Sequence, residues 1–149
     1  GHTLGHIAYY APVQKWLFCG DVLFGAGCGR IFEGSPKQMF DSINKISALP
    51  DDTLVYAGHE YTIPNLKFAA EIEPDNTAIA MRMSTCLDKR KKYMPTLPST
   101  IAEEKATNPF MRANQATVIS RMDSLNKLSE HSPIATFTAI REWKDNYVG

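Results

Sequence analysis

Thr53-Leu54-Val55-Tyr56-Ala57-Gly58-His59-Glu60-Tyr61 is the stretch at which the chain changes character. The apolar run from Thr53 to Ala57 has the length and composition of a short strand, and Gly58 ends it. Beyond Tyr61 apolar residues recur at helical spacing. The reading is therefore the end of an α/β domain over residues 1–61, followed by an all-α domain over residues 62–149.

Upstream, Ile7 to Ala11 and Lys15 to Cys19 read as two strands joined by a turn at Pro12-Val13-Gln14. Gly20 to Gly34 holds five of the nine glycines and reads as a long loop without regular structure. Ser35-Pro36 is a helix start, with serine as the cap and proline in the first turn. Met39, Phe40, Ile43, Ile46 and Leu49 then predict an amphipathic helix over 36–49.

Downstream, helices are predicted over 64–73 and 76–93. The second ends in Lys89-Arg90-Lys91-Lys92, cations that complement the negative end of a helix dipole. Pro95, Pro98 and Pro109 punctuate a long connection with one short helix around 101–105. Further helices are predicted over 115–128 and from Ser132-Pro133 onward, the last with Ile134, Phe137, Ile140 and Tyr147 on one face.

Sixteen basic and sixteen acidic residues cancel, which argues against a nucleic-acid partner while allowing a small anion held by a few local cations. No apolar run approaches membrane-spanning length. Cys19, Cys28 and Cys86 are odd in number and lack CxxC spacing, so neither a disulfide framework nor a zinc knuckle is expected, and a reducing compartment is. The chain opens at Gly1-His2-Thr3 inside an information-rich segment. The expectation is a portion of a longer protein, with any targeting signal upstream.

Three segments carry chemistry-bearing side chains beside glycines: Gly1-His2-Thr3-Leu4-Gly5-His6, Cys19-Gly20-Asp21 and Gly58-His59-Glu60-Tyr61. Imidazole and carboxylate are ligands for zinc, iron or manganese, and one carboxylate can bridge two metals. The plainer readings stand beside these. A histidine is more often a satisfied structural group, Asp21 after glycine is by default a turn or cap residue, and cations on a terminal helix are ordinarily solvated.

GHTLGH, GDVLFGAGCGRIFEG, YAGHEYTIPNLKFA and NPFMR, with AIREWKDNY at the tail, resemble successive signatures of glyoxalase II, the hydroxyacylglutathione hydrolases of the metallo-β-lactamase superfamily. GHTLGH and the segment with His59 are shared loosely across that superfamily, whereas GCGRIFEG, HEYT and NPFMR are more specific. The resemblance implies the C-terminal part of a metallo-β-lactamase αββα sandwich followed by a helical glutathione-binding domain.

It further implies that His2 ligates one metal, Asp21 bridges two, and His59 ligates the second, zinc being the first choice and iron or manganese the others. His6 falls outside the ligand set and reads as a supporting group. Arg30, Phe32 and Tyr61 match positions that contact glutathione, and Arg141 and Lys144 match cations that hold its carboxylate. Phe32 replaces a tyrosine found in some members, Cys28 reads as a loop residue, and NPFMR reads as structural.

The implied reaction is hydrolysis of S-D-lactoylglutathione to D-lactate and glutathione by a dinuclear metal-bound hydroxide, a step in methylglyoxal detoxification, in cytosol or mitochondrion. The superfamily's T-H-x-H-x-D-H element is nowhere in the chain and is expected upstream, so the chain alone is expected to be inactive and to leave an apolar sheet face uncovered. The alternatives are a mono-iron persulfide dioxygenase-like enzyme and a non-catalytic glutathione-binding module.

Overall fold

In the computed structural model, which describes residues 1–148, a four-stranded sheet is built from β1 (Tyr9–Ala11), β2 (Trp16–Gly20), β5 (Leu54–Ala57) and β6 (Ser99–Thr100), in that order. β1 and β2 are antiparallel, β2 and β5 run parallel with Leu17 beside Val55, and β5 and β6 are antiparallel. The crossover from β2 to β5 carries a small hairpin, β3 (Leu23–Phe24) and β4 (Gly27–Cys28), and helix α1 (Pro36–Ser47). Beyond β5 come α2 (Thr62–Ile72), α3 (Thr77–Lys91), α4 (Ile101–Thr107), α5 (Ala116–Ser124) and α6 (Pro133–Asp145). The result is an α/β part followed, apart from β6, by a helical part.

Period-two alternation on β2 sends Leu17 and Cys19 to one face and Trp16 and Phe18 to the other. The first pair joins Val55, Met39, Ile43 and Ile46 of α1, Ile101 of α4, and Phe137 and Ile140 of α6 in one core. Each large apolar side chain fully buried there contributes about 1.5–3 kcal/mol. The opposite face stays open. Phe18 stacks on Tyr56 with ring centres 5.1 Å apart, Trp16 meets both edge-on, and Tyr9 lies exposed. The apolar sheet face expected from the sequence is thus present and uncovered among the described residues.

Ser35 caps α1 with Pro36 in the first turn, as the sequence predicts, and Gln38 completes a capping box. The other boundaries move for identifiable reasons. α2 begins at Thr62 rather than Pro64, because a proline in the first turn lacks only an N–H that has no helical partner anyway. α5 stops at Ser124 rather than Leu128. Asn126 there adopts φ +54° and the Lys127 N–H turns back to the Met122 carbonyl, a left-handed closure suited to asparagine.

Two corrections are larger. Residues 20–34 are not free of regular structure, since β3 and β4 pair within them. β6 is a fourth strand that two residues of polar sequence do not announce. Among the described residues no helix is long and apolar enough to cross a membrane.

Candidate active site

β2 and β5 end side by side, and each ends next to a glycine. Gly20 takes φ +53°, in the left-handed region that favours glycine, and its carbonyl accepts the Gly58 N–H at 2.9 Å. The residues just past these glycines, Asp21 and His59, are thereby brought together, with His59 Nε2 3.5 Å from Asp21 Oδ2. A Cβ at Gly58 would collide with the Asp21 carboxylate, so the approach requires a residue without a side chain.

His2 reaches the same oxygen from the N-terminal segment, with Nε2 3.7 Å from Asp21 Oδ2. Its Nδ1 lies 2.7 Å from the Arg30 carbonyl. A carbonyl only accepts, so Nδ1 carries a proton and Nε2 is the nitrogen that faces the carboxylate. His6 lies behind Asp21, and its Nε2 accepts the Asp21 N–H at 3.1 Å. Burial, first among several influences, lowers the His6 pKa below its ordinary value. The supporting role expected for His6 thus has a definite partner in the Asp21 backbone.

The other expected residues surround this group. Phe32 is exposed and its ring lies 4.8 Å from that of His2. Tyr61 stacks on His59 at 5.0 Å and 15°, with Phe24 edge-on to Tyr61 at 5.1 Å. Arg30 is mostly exposed, with Nε 3.7 Å from Asp145. Lys144 is half-buried over the rings of Phe68 and Tyr147. Burial lowers its ammonium from the ordinary value, and the Arg141 guanidinium adds to the effect.

Arg141 is nearly enclosed. Its guanidinium donates to the Cys28 carbonyl at 2.9 Å and to Asp145 Oδ1 at 2.8 Å, and lies over the Phe110 ring. It shares the side of α6 with Lys144, as their three-residue spacing predicts, but most of its donors are engaged within the protein.

His2, Asp21, Arg30, Phe32, His59, Tyr61, Arg141 and Lys144 all line one cavity of about 510 Å³, together with Phe24, Cys28, Gly29 and Asn65. That volume suits a small-molecule ligand. Sequence reasoning missed Phe24 and Asn65. The available signal for Asn65 was an asparagine on the inward side of a helix whose other buried residues are mostly apolar. Cys28 faces the cavity, but burial pushes its thiol up to about 11, so it remains an unreactive thiol at neutral pH.

A larger cavity of about 790 Å³ lies between the α2–α3 connection and α5 and contains none of these residues. Within it Arg112 donates to Glu73 at 2.6 and 2.9 Å, and Thr117 adds a third bond to the same carboxylate.

The donors fit a divalent cation in kind and direction. Two imidazole nitrogens converge on one carboxylate, and one imidazole is oriented by a carbonyl bond of the kind that supports metal-binding histidines. Among the described residues, however, no three His, Cys, Asp or Glu side chains close into a complete metal cage.

Comparison with known proteins places this geometry among relatives. A family model described as hydroxyacylglutathione hydrolase C-terminus matches residues 60–147, and one for the metallo-beta-lactamase superfamily matches residues 1–59. A hydroxyacylglutathione hydrolase of Nitrosomonas eutropha is 51% identical over 147 residues, covering 99% of this chain and 57% of its own length. One from Nitrosomonas europaea is 51% identical over 149 residues, covering 100% of this chain and 56% of its own length. A protein named hydroxyacylglutathione hydrolase 2 from Vibrio vulnificus is 50% identical over 147 residues, covering 99% of this chain and 57% of its own length. The chain therefore spans a little over half the length of these relatives.

Proposed function

The chain belongs to the hydroxyacylglutathione hydrolase family, and from that premise we propose that it provides the glutathione-binding part and half-sites for two divalent metals in an enzyme that hydrolyses S-D-lactoylglutathione to D-lactate and glutathione. The observation that carries the reading is the single cavity lined by two imidazoles, a carboxylate, three aromatic rings and three cations, drawn from several parts of the sequence.

In this reading His2, Asp21 and His59 are the residues that would hold the metals, through two imidazoles and a carboxylate. Divalent metal bound there, zinc before iron or manganese, supplies Lewis-acid activation of water and of the thioester carbonyl. The remaining residues bind and orient. Arg30 and Lys144 meet the carboxylates of glutathione at the rim, while Arg141 adds positive potential from beneath, its charge partly offset by Asp145. Phe32 and Tyr61 present ring faces to the tripeptide, so that the thioester carbonyl is delivered to the Asp21 end of the cavity. The glutathione thiolate is a good leaving group and needs little acid assistance, which suits a cavity in which the one thiol, Cys28, is held neutral. Residues 1–61 then serve as the ligand-bearing part and 62–149 as the glutathione-binding part. A glutathione substrate and three free cysteines suit a reducing compartment such as the cytosol.

The test is thiol release from S-D-lactoylglutathione with zinc present, run on this 149-residue chain and on a chain extended to the length of its relatives. The reading predicts thiol and D-lactate in equal amounts from the extended chain and little from the shorter one. An extended, folded, metal-loaded chain that releases no thiol would overturn it.

A further inference from the structure

We propose that Asn108, at the head of the Asn108-Pro109-Phe110 turn, is a positioning residue of the site and acts through the β3–β4 hairpin. The inference rests on the function proposed above only for its kinetic arm.

Asn108 is fully buried at the end of α4. Its Oδ1 accepts the Phe110 N–H at 3.1 Å, which fixes the orientation of the amide. The amide nitrogen therefore faces the hairpin, 3.0 Å from the Gly27 carbonyl and 3.4 Å from that of Phe24, and also donates to Glu104 Oε2 at 3.0 Å. Glu104, equally buried and paired with Arg82 at 2.7 Å, accepts the Ala26 N–H at 2.8 Å. That bond supports an alanine at φ +54°, a conformation alanine rarely adopts. Asn65 donates to the Gly25 carbonyl and Arg141 to that of Cys28.

Every residue from Phe24 to Cys28 thus gives a backbone group to a buried side chain of the helical part. A tight hairpin closes through its own ladder and does not need this. Apolar packing would hold the hairpin near α2 without fixing its register, whereas hydrogen bonds to individual carbonyls fix it to a fraction of an ångström. What the hairpin carries gives the precision a purpose. Asp21 enters it, the Phe24 ring lies 5.9 Å from His59, and the Arg30 carbonyl that orients His2 leaves it. Asn108 touches neither metal ligand nor ligand cavity, yet the placement of all three proposed ligands passes through the segment it holds.

The test compares Asn108→Asp, which keeps the shape and turns an oxygen toward two carbonyls and Glu104, with Met122→Ala, a core change on α5 that breaks none of these bonds. Both are made in the chain extended to its relatives' length. Melting temperature, kcat and KM are measured with the zinc-loaded protein, and the His2 Nδ1–H proton resonance without metal. The expectation is that Asn108→Asp lowers kcat about tenfold or more with KM changed less than about threefold, and shifts or broadens the His2 resonance. Met122→Ala should lower the melting temperature with neither effect. If Asn108→Asp does not fold, Asn108→Ser carries the same comparison, since it retains one donor. Equal losses of kcat in the two variants at equal losses of melting temperature, or an unshifted His2 resonance in the Asn108 variant, would overturn the proposal. Should the unmodified protein prove inactive on glutathione thioesters, the proposed function fails and the His2 resonance alone decides the role of Asn108.

Discussion

The Nδ1–H of His2 donates to the carbonyl of Arg30 at 2.7 Å, across 28 residues of sequence. That single bond selects the tautomer of the first histidine and aims its other nitrogen at Asp21. It also joins the end of the glycine-rich segment to the start of the chain. Orientation of the site is therefore a property of backbone groups placed by the fold, as well as of the side chains that converge on Asp21.

Gly58→Ala should separate function from stability. The new methyl meets the end of a side chain, the Asp21 carboxylate, which can swing away at little cost to the fold. Unfolding free energy should change by about 1 kcal/mol or less. Affinity for zinc or cobalt should fall about tenfold to hundredfold, as for changes that misdirect a ligand. Isothermal titration and urea unfolding on the same sample check the two halves, and unaltered metal affinity would contradict the placement of Asp21.

Arg82→Ala should be strongly destabilising without entering the cavity. Arg82 is almost completely buried and pairs with the fully buried Glu104 at 2.7 Å. Its removal leaves an uncompensated carboxylate in the interior, at a cost of about 3–5 kcal/mol. The urea midpoint reads this directly. A loss below about 1 kcal/mol would mean that water or another cation reaches Glu104.

Burial sets an alkaline limit on stability. It pushes the Cys19 thiol up to about 12 and that of Cys28 to about 11, from an ordinary value of 9.0. Because the folded state holds these protons more tightly than the unfolded one, the contribution is intact below pH 9 and is lost as pH rises toward 11–12. Cys19→Ala should flatten the decline of the urea midpoint above pH 9. Iodoacetamide at pH about 8 should label neither thiol until denaturant is added. Rapid labelling of Cys28 in the folded protein would contradict its inert assignment.

The aromatic face of Trp16, Phe18 and Tyr56 should bind a hydrophobic dye. Two strand positions 40% and 46% exposed, stacked into one patch, are more apolar surface than isolated surface residues present. The double substitution Trp16→Thr and Phe18→Thr should remove most of the dye fluorescence while the helix-dominated circular dichroism signal persists. Undiminished fluorescence would place the dye elsewhere.

The broad division of the chain was legible in the sequence because it depends on local spacing. Met39, Ile43 and Ile46 announce α1, and Ser35 and Pro36 announce its start. The hairpin was not legible. Its glycines read as loop, and the groups that hold it, Glu104 for Ala26 and Asn108 for Phe24, come from 78 and 84 residues away. Three glycine-flanked segments identify the ligand types from local chemistry, but only family resemblance selected Arg30, Phe32, Tyr61, Arg141 and Lys144. Phe24 and Asn65 escaped because their place in the cavity follows from the hairpin lying on α2, which no local pattern encodes.

The most direct measurement is anomalous X-ray scattering from crystals of the chain, extended to the length of its relatives, grown with zinc or cobalt. Two peaks are predicted at Asp21, one about 2.0–2.2 Å from His2 Nε2 and the other at the same distance from His59 Nε2, with both lost in Asp21→Asn. Fully occupied metal positions away from these three residues, or no metal at Asp21 under saturating conditions, would contradict the account.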